Sequence, residues 1–381
     1  MNNFFLEIRD FKCFKKCSIP IKQLTVFTGG NGNGKSTAIQ ALLYLRRTVE
    51  HCASWNATSR RYDLKQPNGL NVELNGPYCL NLGRSINVLN IDSQSDIVSL
   101  GVRLSQSPNS YFTIDYSIND GNTLWLTPQN ISNNLPESFL NAQEFYYLNA
   151  ERQGPRLNQD THFYDYPNVG FHGEYTAQIL SACNYDAVEE SRSYKQFLEG
   201  VRLQHYVNSW LRYILDGLEI TSYTDPVSQI SRMEISNRFS KEANVLPTNT
   251  GFGITYVLPI IVTGLLAPKG RLFIVENPEA HLHPAAQSRI GYFLAQIAGC
   301  GVNVVVETHS DHVLNGMQLA VAASLISPED VSINYLSIVE REVRVQELSV
   351  LPTGEISQWP KGFFDQSQLD YLALMNKVRH D

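Results

Sequence analysis

Eight consecutive residues, Gly29-Gly30-Asn31-Gly32-Asn33-Gly34-Lys35-Ser36, carry the spacing G-x-x-x-x-G-K-[ST]. Glycines so placed let backbone N–H groups converge on phosphate oxygens, while a lysine reaches the terminal phosphates and a hydroxyl ligates Mg2+. A second cluster lies far downstream. Leu272-Phe273-Ile274-Val275 ends in Glu276-Asn277-Pro278-Glu279, followed by Ala280-His281-Leu282-His283-Pro284. A third apolar run, Asn303-Val304-Val305-Val306, ends in Glu307-Thr308-His309-Ser310. The chemistry these side chains suit is the binding of a triphosphate with a hard cation and the handling of a water near it.

Each cluster needs a strand that stops where the chemistry starts. Leu24-Thr25-Val26-Phe27 reads as a strand before the glycine loop, and Ile39, Leu42, Leu43 and Leu45 give the helical spacing after it. The run 272–276, a helix carrying Ile290, Phe293, Leu294 and Ile297, and the run 303–307 form a strand-helix-strand series. That order implies a parallel βαβ unit, whose strand ends are where α/β sheets bind ligands. A helix over 249–267 opens with Thr250-Gly251-Phe252-Gly253. Between the clusters, residues 70–126 are rich in short strands (72–74, 78–82, 97–104, 111–118, 124–126) separated by turn signals. A further strand is expected at 144–148. The span 174–216 has a helical pattern with Ile179, Leu180, Phe197, Leu198, Val201, Trp210, Leu211 and Ile214, followed by strands near 218–223 and 229–239.

The 381 residues, 43% of them hydrophobic and 18% charged, are enough for a large core in two closely joined lobes. A formal net charge of -7 argues against a generally basic nucleic-acid-binding surface but leaves room for a local groove. The six cysteines have neither paired spacing nor disulfide density and read as reduced thiols. No secretory signal is expected at the N-terminus, and the apolar stretch 254–267 is too short to span a bilayer. A cytoplasmic protein without a membrane partner is expected.

The series Asp10-Phe11-Lys12, Gly29 to Ser36, Gly251-Phe252-Gly253, Val275 to Pro284 and Val306-Glu307-Thr308-His309-Ser310 resembles the RecF/OLD branch of ABC-class ATPases, which is related to the SMC proteins. The resemblance covers residues 1 to about 50 and 245–320. It implies an α/β fold, a P-loop NTPase of ABC/SMC-like type, with a mixed sheet, an antiparallel β subdomain and an inserted helical lobe. The expected division is an N-terminal ATPase lobe (1–150), a helical and β insertion (151–245), a C-terminal ATPase lobe (246–330) and a small C-terminal domain (331–381). The ending, Leu351 to Gln366, resembles a domain of unknown function found on a subgroup of bacterial relatives that often lie beside nucleases or other effectors in anti-phage loci.

The same resemblance implies site roles. Gly29, Asn31, Gly32, Asn33, Gly34, Lys35, Ser36 and Thr37 hold ATP, with Lys12 at phosphate or ribose. Ser36 and Glu276 hold Mg2+. His309 senses the terminal phosphate, and Gly251 and Gly253 complete the site of a second protomer, so that a homodimer sandwiches two ATP molecules. A mere capped, buried helix remains the alternative for 249–267. Asn277 stands where the branch carries the carboxylate that polarises the attacking water. An amide orients water but accepts no proton, so hydrolysis would be slow and would draw on Glu279, Glu307, the substrate itself or a partner. Glu276, Asn277, Glu279 and His309 are therefore the expected catalytic set.

Several residues keep two readings. His281 and His283 fit a metal pair or a dimer-contact loop. Arg152 and Arg156 fit phosphate ligands, contacts to an acidic partner or plain surface arginines. Trp359, Phe363 and Phe364 could dock a partner or pack on the chain's own core, and Gln94 is a candidate for the metal-contacting glutamine. Between Lys35 and Glu276 there are too few heptads for a long coiled-coil arm, and little chain remains after 350 for a nuclease domain. A separate nuclease-like effector is thus expected as partner, with DNA as a second candidate. The competing functions are a DNA- or effector-coupled ATPase, a nucleotide-dependent scaffold with negligible hydrolysis, and the ATPase subunit of a transporter, which the atypical signature disfavours.

Overall fold

The glycine loop hangs from the middle of a sheet. The computed structural model describes the chain except residues 1–2, 65–69, 106–110, 133–134, 136–137, 198, 237–240, 242, 361, 365 and 379–381, and except the side chains of 366–368 and 376–378. The chain starts with an antiparallel pair, β1 (Phe4–Phe11) and β2 (Phe14–Ile21), then β3 (Leu24–Gly29) and helix α1 (Lys35–Cys52). Strands β4 (Ile97–Leu104), β5 (Tyr111–Ser117) and β6 (Trp125–Ser132) follow, then β7 (Phe145–Leu148). The insertion holds α2 (Thr176–Ala182), α3 (Leu203–Ile214), β8 (Ile220–Asp225) and β9 (Ile230–Ser236). The last part holds α4 (Phe252–Leu266), β10 (Leu272–Glu276), α5 (Pro284–Gly299), β11 (Asn303–Glu307), α6 (Asp311–Ala322), β12 (Val331–Val339), β13 (Glu342–Leu348) and α7 (Gln366–Val378).

The central sheet has the order β7-β10-β11-β3-β12-β13; the first five strands are parallel and β13 returns antiparallel. Its inner strands are continuous apolar runs because both faces are covered. Alternate residues feed two cores. Val26, Phe273, Val275, Val304 and Val306 join the core beneath α2 to α6, whereas Phe27, Leu272, Ile274 and Val305 join the core around α1 and the second sheet. That second sheet is antiparallel, ordered β2-β1-β4-β5-β6 and then Val72–Glu73. Helix α4 is buried on nearly every face, which accounts for its lack of a polar stripe. Among the described residues no helix is long and apolar enough to cross a membrane.

The fold is the expected ABC/SMC-like α/β type, with a mixed sheet, an antiparallel subdomain and an inserted lobe. Details differ from the local reading. Residues 78–82 make no strand; Pro77–Cys79 form a 3-10 turn in which Tyr78 and Cys79 adopt left-handed backbone. The helical span 174–216 is two helices separated by short 3-10 turns, and Val201 lies exposed between them. Leu198 lies outside the described residues. The division expected at 330/331 falls inside the central sheet, because β12 pairs in parallel with β3 through Val331↔Leu24 to Leu336↔Gly29. Likewise β7, from the first expected unit, and β10, from the third, are hydrogen-bonded neighbours.

Candidate functional site

Strand β3 ends at Gly29, whose φ of +138° is a backbone state that L side chains rarely adopt. A Cβ there would lie 2.2 Å from the Leu336 carbonyl oxygen of β12, so the loop can leave the sheet only over a glycine. Asn33 pins the loop's far side by donating from Nδ2 to the same carbonyl at 3.0 Å. Gly34 then caps α1, and the Lys35 ammonium folds back to donate to the Gly29 and Gly30 carbonyls at 3.0 and 2.8 Å. Burial lowers the Lys35 pKa, while Glu307 and Glu279 oppose that shift. Asn31 and Gly32 stay exposed at the loop's crest, and Thr37 is buried behind Ser36.

The acidic groups arrive on the two successive strands to one side of β3. Glu307 ends β11, which pairs directly with β3, and Glu276 ends β10, one strand further out and opposite Glu307 in register. The Ser36 hydroxyl donates to Glu307 Oε1 at 2.8 Å. Glu276 instead accepts from the Tyr147 hydroxyl at 2.9 Å. Burial, and then the charge of Glu307, push the Glu276 carboxyl up to about 7. Burial raises Glu307 as well, partly offset by Ser36 and Lys35.

Beyond Glu276 the chain turns through Asn277, whose φ of 44° is left-handed, a state that asparagine tolerates better than most residues. Its N–H donates to the Glu307 carbonyl at 2.8 Å. Glu279 is fully engaged: Oε2 accepts from the Thr308 hydroxyl and Oε1 from the His309 backbone N–H, both at 2.8 Å. Its carboxylate therefore aims the tip of β11, where the His309 ring stays exposed with its pKa lowered by burial of part of the ring and by Lys35. The Asn277 amide oxygen is buried without a hydrogen-bond partner.

Arg152 is no surface arginine. It is 4% exposed, donates to the carbonyls of Asn149, Glu276 and Asn277 at 3.1, 2.7 and 2.5 Å, and lies over the Tyr256 ring. Its guanidinium is committed to three backbone carbonyls rather than to a surface role. Arg156 is exposed. His281 packs between Phe252 and Tyr256, and His283 caps α5, so both histidines serve the turn. Among the described residues no three His, Cys, Asp or Glu side chains could hold a metal ion by themselves. A magnesium ion here would depend on substrate phosphates plus hard oxygens such as Ser36 and the two glutamates, the donor set that ion uses.

Two cavities flank the loop. One of about 550 Å3 runs from Gly32 past Lys12, Lys15, Asn90, Ile91 and Arg341. Lys12 faces it with its ammonium on Gln40 Oε1 at 2.7 Å. A smaller one, about 270 Å3, lies between Thr28, Gly30 and His309 on one side and Tyr335, Phe363 and Phe364 on the other. Phe363 is buried against Tyr335, whereas Trp359 stays half-exposed, so the aromatic ending packs on the chain's own core through Phe363. Gly251 and Gly253 sit at the tip of α4; Gly253 lies close against the carbonyl of His281, and nothing lies within 4 Å of a Cβ built at Gly251. Gln94 is exposed on a turn, and no bond links it to the loop among the described residues.

Tyr147 was not legible as a site residue. The one signal for it is the parallel neighbour relation of its strand to β10, which no local pattern reveals.

Residues 24–315 match a family described as "AAA domain, putative AbiEii toxin, Type IV TA system". Residues 326–374 match one described as "Protein of unknown function (DUF3696)". Among solved structures, an SMC head bound to the C-winged helix domain of ScpA is similar at 11% identity, over 91% of this chain and 97% of that one, with a TM-score of 0.51. An SMC head with an extended coiled coil bound to the C-terminal domain of ScpA, derived from Pyrococcus furiosus, is similar at 10% identity over 100% of both chains, with a TM-score of 0.50. At such identities the likeness speaks for the fold. No curated protein matches the chain.

Proposed function

The chain belongs to this AAA-domain family of ATPases, and from that premise we propose that it is a slowly hydrolysing ABC-type ATPase of the RecF/OLD kind. It binds ATP with Mg2+, closes as a homodimer around two nucleotides and passes that state to a separate nuclease-like effector or to DNA. The setting is the cytoplasm, in anti-phage defence or genome maintenance.

The observation that carries the reading is a complete phosphate loop in the sheet whose strand β10 runs on into an amide, Asn277. Lys35 and the loop N–H groups bind phosphate, Ser36 offers its hydroxyl to the cation, and His309 stands at the neighbouring strand end. The cavity beside Gly32 and Lys12 has room for a nucleoside. Asn277 can orient water yet takes no proton from it, and Glu279 is held by Thr308 and His309. Slow turnover favours a long-lived ATP-bound state, as a switch needs.

A second reading, a nucleotide-dependent scaffold with negligible hydrolysis, draws on the same Asn277. Steady-state phosphate release with and without DNA separates the two: stimulation supports the coupled ATPase, and turnover flat near zero supports the scaffold. Turnover of several per second by the isolated protein, unchanged in Asn277→Ala, would sink both.

A further inference from the structure

We propose that Glu307, rather than Glu276, is the carboxylate that works directly with Ser36 to hold the divalent cation. The inference rests on the reading of the loop as a magnesium-ATP site.

Three observations converge. The first is position: Glu307 ends the strand hydrogen-bonded to β3, whereas Glu276 is one strand further from the loop, an added separation of roughly 5 Å. The second is the Ser36–Glu307 bond. A serine that donates its one proton to a carboxylate has its lone pairs free for a cation, so the bond sets the hydroxyl for ligation. The third is the other carboxylate oxygen. Glu307 is 4% exposed, and its Oε2 is buried with no hydrogen-bond partner. A bare oxygen on a buried carboxylate is unfavourable, and a hard cation or its bound water removes that cost. Glu276 shows no such buried bare oxygen: its Oε1 accepts from the Tyr147 hydroxyl, and Arg152 fixes its backbone. Glu276 is then a positioning residue: it stands behind Glu307, and its negative charge adds to the pull on the cation.

The test measures the metal apart from turnover. Mn2+ binding to the full-length protein is followed by electron paramagnetic resonance with a non-hydrolysable ATP analogue, and analogue affinity is measured with EDTA and with Mg2+. In Glu307→Gln, Mn2+ affinity should fall by about tenfold or more, the loss typical of removing a group that orients a metal ligand. Affinity in EDTA should be unchanged or tighter, because a negative charge facing the phosphates is gone. Glu276→Gln should lose clearly less Mn2+ affinity. Ser36→Ala should lose as much as Glu307→Gln, with no further loss in the double variant, and Glu307→Asp gives the same comparison if Glu307→Gln does not fold. Mn2+ affinity within about twofold of wild type in the Glu307 variants, with the loss falling on Glu276→Gln, overturns the proposal. Wild-type protein that binds the analogue in neither condition overturns the ATP reading itself, an outcome visible before any variant is made.

Discussion

The guanidinium of Arg152 donates to the backbone carbonyl of Asn277 at 2.5 Å, and so holds from beneath the turn that carries the site's unusual amide. The same head group bonds Glu276 and Asn149, and burial lowers its pKa to about 10, still far above neutral. A charge enclosed in this way is held by three backbone carbonyls, of which that of Asn277 also accepts from the Ala280 N–H.

Arg152→Ala should remove three charge-assisted bonds to buried carbonyls, leaving Asn277 only its bond from Ala280, at a net cost of about 3 kcal/mol. Thermal denaturation should show a midpoint several degrees lower, with nucleotide affinity reduced as the Glu276–Asn277 turn loosens. Arg152→Lys keeps the charge but lacks the planar fork, so it should recover only part of the loss. A wild-type midpoint for Arg152→Ala would refute the structural role.

Asn277→Glu puts a proton acceptor where the site has an amide. The left-handed backbone should make it less stable by about 1 kcal/mol, yet phosphate release should rise at least about tenfold if the missing base limits the rate. An unchanged rate would mean that the base comes from elsewhere.

Gly29→Ala and Gly32→Ala separate packing from phosphate contact. The first drives a Cβ into the Leu336 carbonyl and should give poorly folded protein. Gly32 has a φ of +76° but open space around it, so its alanine variant should fold with a strain of about 1 kcal/mol. Circular dichroism and analogue binding should report folded Gly32→Ala with weakened affinity. Equal behaviour of the two variants would contradict the close approach at Gly29.

Gly251→Glu tests the composite dimer. The residue has an ordinary φ of -70°, and a Cβ built on it meets nothing within 4 Å, so its own protomer leaves room for a side chain to start there. Light scattering should show a folded monomer that no longer dimerises with ATP, because the added charge meets the partner's phosphates. A dimer that persists would remove α4's tip from the interface.

Cys17 offers a check on burial. Enclosure, and then the nearby Glu7 charge, push its thiol up to about 12, which favours the neutral form. At pH 8 iodoacetamide should modify it about a hundredfold or more slowly than a free exposed thiol, with the rate rising as pH increases. Mass spectrometry of a time course reads this out, and fast labelling at pH 8 would contradict it.

The sequence by itself determined the parts that depend on neighbouring residues: the loop from Gly29 to Ser36, the strands 272–276 and 303–307, the helices after them and the ABC/SMC-like class. Strand and helix periods and glycine punctuation are local signals, and they mark where strands end and chemistry begins. What only the tertiary structure decided is which tips meet. Ser36 and Glu307 are 271 positions apart, and their bond exists because β11 lies between β10 and β3. The same sheet order hides Arg152 behind Asn277, brings Tyr147 to Glu276 and draws Val331–Val339 into the sheet that carries the loop. Residue types limit what each strand end can do, but strand order is set by burial of both sheet faces at once, a condition no single stretch of chain contains.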